Sequence, residues 1–310
     1  MQGLELARAF YTQCGEVMLK REFSAVLDRI AVGLAGQGSE CGGYDDEISQ
    51  DHDFSPGFII WIPEEDEDKY GFRLSTAYDK LPKEFMGYPV EHRSRMGDGR
   101  KGVKTVEGFC RQFLGMSHAP ENWQEWMRIP SWALDQATNG EIWHDGLGRF
   151  TAVRETLLHG MPEDVRLKKL AAAAALMAQT GQYNYPRCMK HGEKGAAAIA
   201  VSEFAKQTVS LAYLLNRQHM PYYKWMFRGM EKLPVLSELK KPLENLFVMD
   251  GHTEEKIEEI SAVCIDALKG QGLTDGGWDY LEPHAMEIQR RIKDQEIRAL
   301  HLMEGGGALW

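Results

Sequence analysis

A chain of 310 residues with 43% hydrophobic content has material for one large or two modest buried cores, and nothing in its composition reads as disordered. The formal net charge of -10 argues against a protein that tracks a nucleic-acid backbone, because such binding rests on Lys and Arg neutralising phosphates. The five cysteines, Cys14, Cys41, Cys110, Cys188 and Cys264, stand far apart with no Cys-x-x-Cys pair, so neither a zinc site nor a disulfide framework is expected.

In chain order, Leu4, Leu6, Ala7, Phe10, Tyr11, Cys14 and Val17 form a helical stripe over 4–20, and a second helix is expected over 23–29. The apolar run from Ile30 to Ala35 reads as a buried strand that ends in a Gly38-Ser39 turn. An acidic loop, Asp45-Asp46-Glu47, follows, and Phe58-Ile59-Ile60-Trp61-Ile62 forms the next strand. Pro63 breaks that strand, and the acidic run 64–68 opens a helix that continues to about Leu81 and stops at Pro82.

The segment 102–106 is strand-like. Val106, Phe109, Cys110, Phe113 and Leu114 carry helical spacing, with Gly115 as the stop. Trp123, Trp126, Met127, Ile129 and Trp132 make an aromatic-rich helical run broken by Pro130, and 140–148 reads as a short strand and turn with Asp145 as a turn residue. Beyond about Phe150 only helical spacing remains, over 163–180, 193–217 and 254–269. The expected organisation is therefore an α+β domain over 1–148 and a helical-bundle domain over 149–310, with Gly305-Gly306-Gly307 forming a flexible end.

Chemistry concentrates in the stretch from Gly38 to Phe54. If Asp51-His52-Asp53 opens the strand that follows, a period of two puts both carboxylates on one face and His52 on the other. Mg²⁺ takes one or two protein carboxylates and completes its shell with phosphate oxygens and water, so such a pair is incomplete without a substrate phosphate. The Gly38-Ser39 turn supplies the matching part: glycine permits close backbone approach, and the Ser hydroxyl and nearby N–H groups donate to phosphate oxygens.

Gly38, Ser39, Asp51 and Asp53 resemble the shared pattern of the nucleotidyltransferase superfamily, which includes polymerase-beta-like enzymes and the aminoglycoside and lincosamide nucleotidyltransferases. The stretch Asn216-Arg217-Gln218-His219-Met220-Pro221-Tyr222-Tyr223-Lys224-Trp225 also looks like an uncharacterised, largely bacterial branch of that superfamily, in which a helical carboxy-terminal region follows the core. The resemblance implies a mixed-sheet core with flanking helices. It also implies that Ser39 lies at the triphosphate of an NTP, taken as ATP, and that Asp51 and Asp53 hold one or two Mg²⁺ ions.

Active members usually add a third carboxylate on a later strand. Glu107, after the strand-like 102–106, and Glu91 are the candidates here. In the helical half, Lys224 is framed by Tyr222, Tyr223 and Trp225 and can meet a phosphate as a mobile point charge. The expected reaction is Mg²⁺-dependent transfer of a nucleoside monophosphate from an NTP to a hydroxyl of a small-molecule acceptor, with release of pyrophosphate. Two alternatives stay open, a protein side-chain acceptor and a nucleotide-binding module without chemistry. No apolar run is long enough to span a bilayer and the amino terminus lacks a signal-peptide pattern, so a cytoplasmic location with no membrane partner is expected.

Overall fold

A computed structural model describes residues 1–48, 55–90 and 99–307. The chain divides into two compact units, Met1–Glu121 with Ala133–Gly160, and Asn122–Trp132 with Met161–Trp310. Together they make an α+β protein with a mixed four-strand sheet, flanking helices and a largely helical carboxy-terminal region.

The first stripe forms α1 (Gly3–Phe10) and α2 (Glu16–Glu22), joined without a break by a wider helical turn over Tyr11–Gly15. The expected second helix is a tighter 3₁₀ turn, Ser24–Arg29. Next come β1 (Ala31–Leu34), the short α3 (Ser39–Gly42), β2 (Ile59–Ile62), α4 (Phe72–Tyr78), the two-residue strands β3 (Glu84–Phe85) and β4 (Tyr88–Pro89), and β5 (Gly102–Thr105). From the acidic loop Asp45 Oδ2 accepts from the Gly3 N–H at 2.6 Å and so caps the start of α1.

Helix α5 (Val106–Leu114) has both of its ends written in the sequence: Thr105 Oγ1 accepts from the Gly108 N–H at 2.9 Å, and Gly115 closes it at φ +73°. Helices α6 (Trp123–Arg128) and α7 (Ser131–Thr138) flank Pro130, and β6 (Glu141–Asp145) and α8 (Arg149–His159) complete the sheet-bearing unit. Asp145 is the last residue of β6, its carbonyl accepts from the Gly148 N–H at 3.3 Å to open the turn, and its Oδ2 accepts from the Thr151 N–H at 2.7 Å in the first turn of α8.

The strand order is β5-β2-β1-β6. β1 is antiparallel to β2 and to β6, and β2 is parallel to β5. All four residues of β2 are buried because both faces of the sheet are covered, which is why this strand reads as an unbroken apolar run. On one face Ile60 and Ile62 join Leu6, Phe10, Leu19, Leu74 and Tyr78. On the other, Trp61 stacks on Phe150 at a centroid distance of 4.1 Å and meets Phe109 edge-on at 5.6 Å.

The helical unit is built round α9 (Glu163–Met177), followed by α10 (Tyr185–Lys190), α11 (Lys194–Leu215), α12 (Met226–Met230), α13 (Lys240–Leu246), α14 (Thr253–Gly270), α15 (Leu281–Arg290) and α16 (Gln295–Ala299). α9 is buried on every side from Val165 to Met177, as a helix at the centre of a bundle must be. Its cations are spent on carbonyls: Arg166 Nη1 reaches Leu214 O at 3.2 Å, Lys168 Nζ reaches Leu302 O at 2.8 Å, and Lys169 Nζ reaches Trp126 O at 3.1 Å. Leu214 and Trp126 lie in the last turns of α11 and α6, where carbonyls have no partner within the helix. Among the described residues no helix is long and apolar enough to cross a membrane.

The glycines near the carboxy terminus depart from the flexible end expected of them. A Cβ on Gly305 would stand 2.7 Å from Met127 Cε and one on Gly306 would stand 2.3 Å from Leu176 Cδ1, while Gly306 O accepts from Gln207 Nε2 at 2.8 Å. Gly305 is held at φ +93°, a conformation that favours glycine, and Gly306 packs against Leu176.

Candidate functional site

β1 leaves the sheet at Leu34 and runs into the small-residue turn. Asn139, just beyond α7, grips Gly36 with both ends of its amide: Oδ1 accepts from the Gly36 N–H at 2.8 Å and Nδ2 donates to Gly36 O at 2.9 Å. Gly38, at φ +127°, precedes α3, which begins at Ser39. A Cβ on Gly38 would lie 2.4 Å from Glu40 Oε2, so the Glu40 carboxylate folds back over the turn.

Arg100 answers that charge, with Nη2 3.9 Å from Glu40 Oε1 and Nη1 3.5 Å from Gln37 O. Cys41 is buried and directs its thiol at Gln37 O at 3.7 Å. Burial pushes that thiol far above its ordinary range, which leaves it a packed side chain and not a nucleophile.

The strand register brings three chain segments to one end of the sheet. Gly33 faces Ile59 across the antiparallel β1–β2 pair, and Ile59 faces Gly102 across the parallel β2–β5 pair. The exit of β1, the entry to β2 and the entry to β5 therefore lie side by side. The described residues Ser55 to Gly57 lead into β2 at this end, and Lys101 Nζ donates to Ser55 O. Asp51 and Asp53, like Glu91, lie outside the described residues. Among the described residues no group of three or more His, Cys, Asp or Glu forms a metal-binding cluster.

Glu107 stands elsewhere. β5 runs parallel to β2, so the chain after Thr105 leaves at the opposite end of the sheet, about 10 Å along the strand from its entry. There Glu107 Oε2 accepts from the Glu64 N–H at 2.9 Å, and Oε1 lies 3.6 Å from Arg149 Nη2. Gly38, Ser39 and the entry to β2 are brought together; Glu107 is not brought to them.

Lys224 belongs to the helical unit. It is exposed beside Tyr222 and Tyr223, whose rings are 4.5 Å apart, and Tyr222 meets Trp132 edge-on at 6.3 Å. Arg228 lies over the Trp225 ring at 5.9 Å.

One carboxylate was not singled out from the sequence. Asp135 on α7 is half-buried, and burial pushes its carboxyl from 3.8 up to about 7. It stands four positions before Asn139, one helical turn from the residue that grips Gly36. Its only sequence signal is an acid within the apolar helical run Trp132-Ala133-Leu134, which does not show whether the acid faces water.

Residues 126–226 match a family model described as a domain of unknown function (DUF4037). The matched stretch takes in α7 with Asp135, then Asn139, and it ends just past Lys224. No curated protein and no solved structure matches the chain.

Proposed function

We propose that this protein is a Mg²⁺-dependent nucleotidyltransferase that moves a nucleoside monophosphate from an NTP, taken as ATP, to a hydroxyl of a small-molecule acceptor. The observation that carries the reading is the convergence at one sheet end of the Gly38-Ser39 turn and the entry to β2, the strand that Asp51-x-Asp53 precedes. Arg100 and Lys101, from the entry to β5, add two cations to the same end.

In this reading the turn amides and the Ser39 hydroxyl receive phosphate oxygens, and Arg100 and Lys101 offset the triphosphate charge. Asp51 and Asp53 would hold Mg²⁺, for which an all-oxygen donor set is suited; when bound, the ion neutralises charge on the phosphates. Asp135, one helical turn before the Asn139 that holds Gly36, would take the proton from the attacking hydroxyl, and a base that titrates near neutrality combines the right protonation state with useful basicity. The hydroxyl oxygen attacks the α-phosphorus and pyrophosphate leaves. Most of the acceleration would come from positioning and fixed charge.

Calorimetric titration with the four NTPs, with and without Mg²⁺, tests the site, alongside Asp51→Ala and Asp53→Ala proteins whose folding is checked by circular dichroism. Metal-dependent binding lost in both folded variants is the expected result. A folded wild type that binds none of the four, or a folded Asp53→Ala protein that retains turnover, ends the transferase reading. A second acceptor class, a hydroxyl on a protein segment, is favoured by one observation, an open groove that runs along β5.

A further inference from the structure

The segment between α14 and α15 is anchored at both ends by groups that do not titrate. The Leu273 N–H donates to Leu268 O at 3.0 Å as α14 closes. At the other end Gln182 Nε2 donates to Asp279 O at 3.2 Å, and its Oε1 accepts from the Leu281 N–H at 2.9 Å. What lies between, 274–278, is held by two side chains of α15, Glu287 and His284.

Glu287 Oε2 accepts from the N–H groups of Asp275 and Gly276, at 3.1 and 3.2 Å, and from the Thr274 hydroxyl. The Thr274 hydroxyl first, and then those two N–H groups, hold its carboxyl below the ordinary carboxylate range, so it is ionised and supplies no proton. His284 is fully buried. Its Nε2 lies 2.9 Å from Trp278 O, a contact that only a ring N–H can make, and its Nδ1 lies 2.7 Å from Thr274 Oγ1.

Three hydrogen bonds therefore run in series, from Trp278 O through the imidazole and the Thr274 hydroxyl to Glu287, and each needs a hydrogen. The hydroxyl brings one and a neutral imidazole brings one. The third comes from a ring protonated at both nitrogens. Among the described residues the His284 ring and the Thr274 hydroxyl have no other hydrogen-bond partner.

The charged groups on the elements that meet this cluster are Glu287 and Glu282 of α15, Asp275 and Asp279 of the segment, and Glu258 of α14, whose Oε2 accepts from Gln182 Nε2 at 2.6 Å. The turn over Ala178–Asn184 carries none. α9, which packs along α15, has its Lys168 and Lys169 engaged at Leu302 O and Trp126 O.

We propose that His284 is a proton-operated latch: with both ring nitrogens protonated it holds 274–278 against α15, and loss of one proton to solvent as pH rises releases the segment. The released form has two hydrogens for three hydrogen bonds. Trp278 is the part that solvent meets, half exposed, edge-on to His284 at 5.8 Å and folded over Gly276, where a Cβ would stand 2.0 Å from Cζ3. The latch is independent of whatever chemistry the Gly38-Ser39 end performs.

Two-bond ¹H–¹⁵N correlation spectra of the full-length protein from pH 5.5 to 9 read the protons on the ring. Its signals, among those of ten histidines, are assigned by their absence from the His284→Gln protein. Hydrogen exchange gives protection factors for the Asp275 and Gly276 amides, already corrected for the intrinsic effect of pH. Two protonated nitrogens should give way to Nε2–H alone as pH rises, with protection falling about tenfold over the same range. In Thr274→Val, which lacks the bridging hydroxyl, protection should no longer follow the ring proton. Should that variant fail to fold, Glu287→Gln should lose the ring proton at lower pH than wild type. A ring with one proton throughout, a ring that keeps both to pH 9, or protection that stays level while the ring titrates would each overturn the inference. So would a Thr274→Val protein whose protection still follows the ring, or a Glu287→Gln ring that titrates as wild type does.

Discussion

Asn139 satisfies both backbone groups of Gly36, donor and acceptor, at 2.8 and 2.9 Å across 103 positions of sequence. The pair ties the end of α7 to the segment that carries Gly38 and Ser39, so the shape of the turn depends on one amide far away in the chain. Truncation to Asn139→Ala leaves two groups short of partners, a loss of about 2 kcal/mol measured by urea denaturation. The Asn139→Asp carboxylate can accept from the Gly36 N–H but cannot donate to its carbonyl. Both variants should bind NTP more weakly than wild type, and unchanged affinity in a folded Asn139→Ala protein would detach the clamp from the site.

Asp135 sets a pH dependence of known sign. Burial raises its folded pKa from 3.8 to about 7, so between those values folding takes up a proton, and stability falls as pH rises through the window and levels above it. The shift corresponds to on the order of 4 kcal/mol at most, and Asp135→Asn should be the more stable protein at pH 8 while losing that slope. In the proposed reaction, turnover of wild type rises with pH through about 7 and the Asn variant loses most of it. Denaturation midpoints measured from pH 4 to pH 8 check the first expectation and single-turnover rates check the second.

The turn also carries an electrostatic opposition. The Glu40 carboxylate that folds over Gly38 repels an arriving triphosphate, and Arg100, 3.9 Å from it, offsets that repulsion. Glu40→Gln should tighten NTP binding and Arg100→Ala should weaken it, each by about tenfold at low ionic strength and by less as salt is added. Calorimetry at two salt concentrations separates these outcomes, and a change in the same direction for both variants would exclude the arrangement.

The parts of the fold that were legible from sequence are those whose signals are local. Gly115 marks the end of α5, and the continuous apolar run of β2 announces a strand. The order of the sheet is not local. Pairing β1 with β6 joins segments more than a hundred positions apart, and only the parallel register of β5 on β2 shows that Glu107 leaves at the far end. Asp135 was missed for the same reason, because its burial is a property of what packs round α7. The glycines at 305 and 306 were read as freedom because composition cannot show that Met127 and Leu176 fill the space where side chains would stand.

Lys168 turns the packing of the carboxy-terminal segment into a measurable quantity. Its ammonium is fully buried, donates to Leu302 O at 2.8 Å and to Gln289 Oε1 at 3.2 Å, and burial lowers its pKa from 10.5 to about 8 despite the nearby Glu304. A folded value below the unfolded one means that the unfolded chain binds the extra proton between about 8 and 10.5. In that window this group's contribution to stability rises with pH; it falls as pH drops through the folded value. The Lys168→Met protein keeps the apolar stem without the charge, and it should lose a slope worth on the order of 3 kcal/mol across the window. Lys169, also lowered to about 8 by burial, remains in that variant as an internal reference. Gly306→Val, placed against Leu176, should destabilise the helical unit by about 1 to 3 kcal/mol at every pH and leave the slope in place. Denaturant titrations of the three proteins at pH 7.5, 9 and 10.5 distinguish the two effects, and a Lys168→Met protein that keeps the full slope would assign it to Lys169 alone.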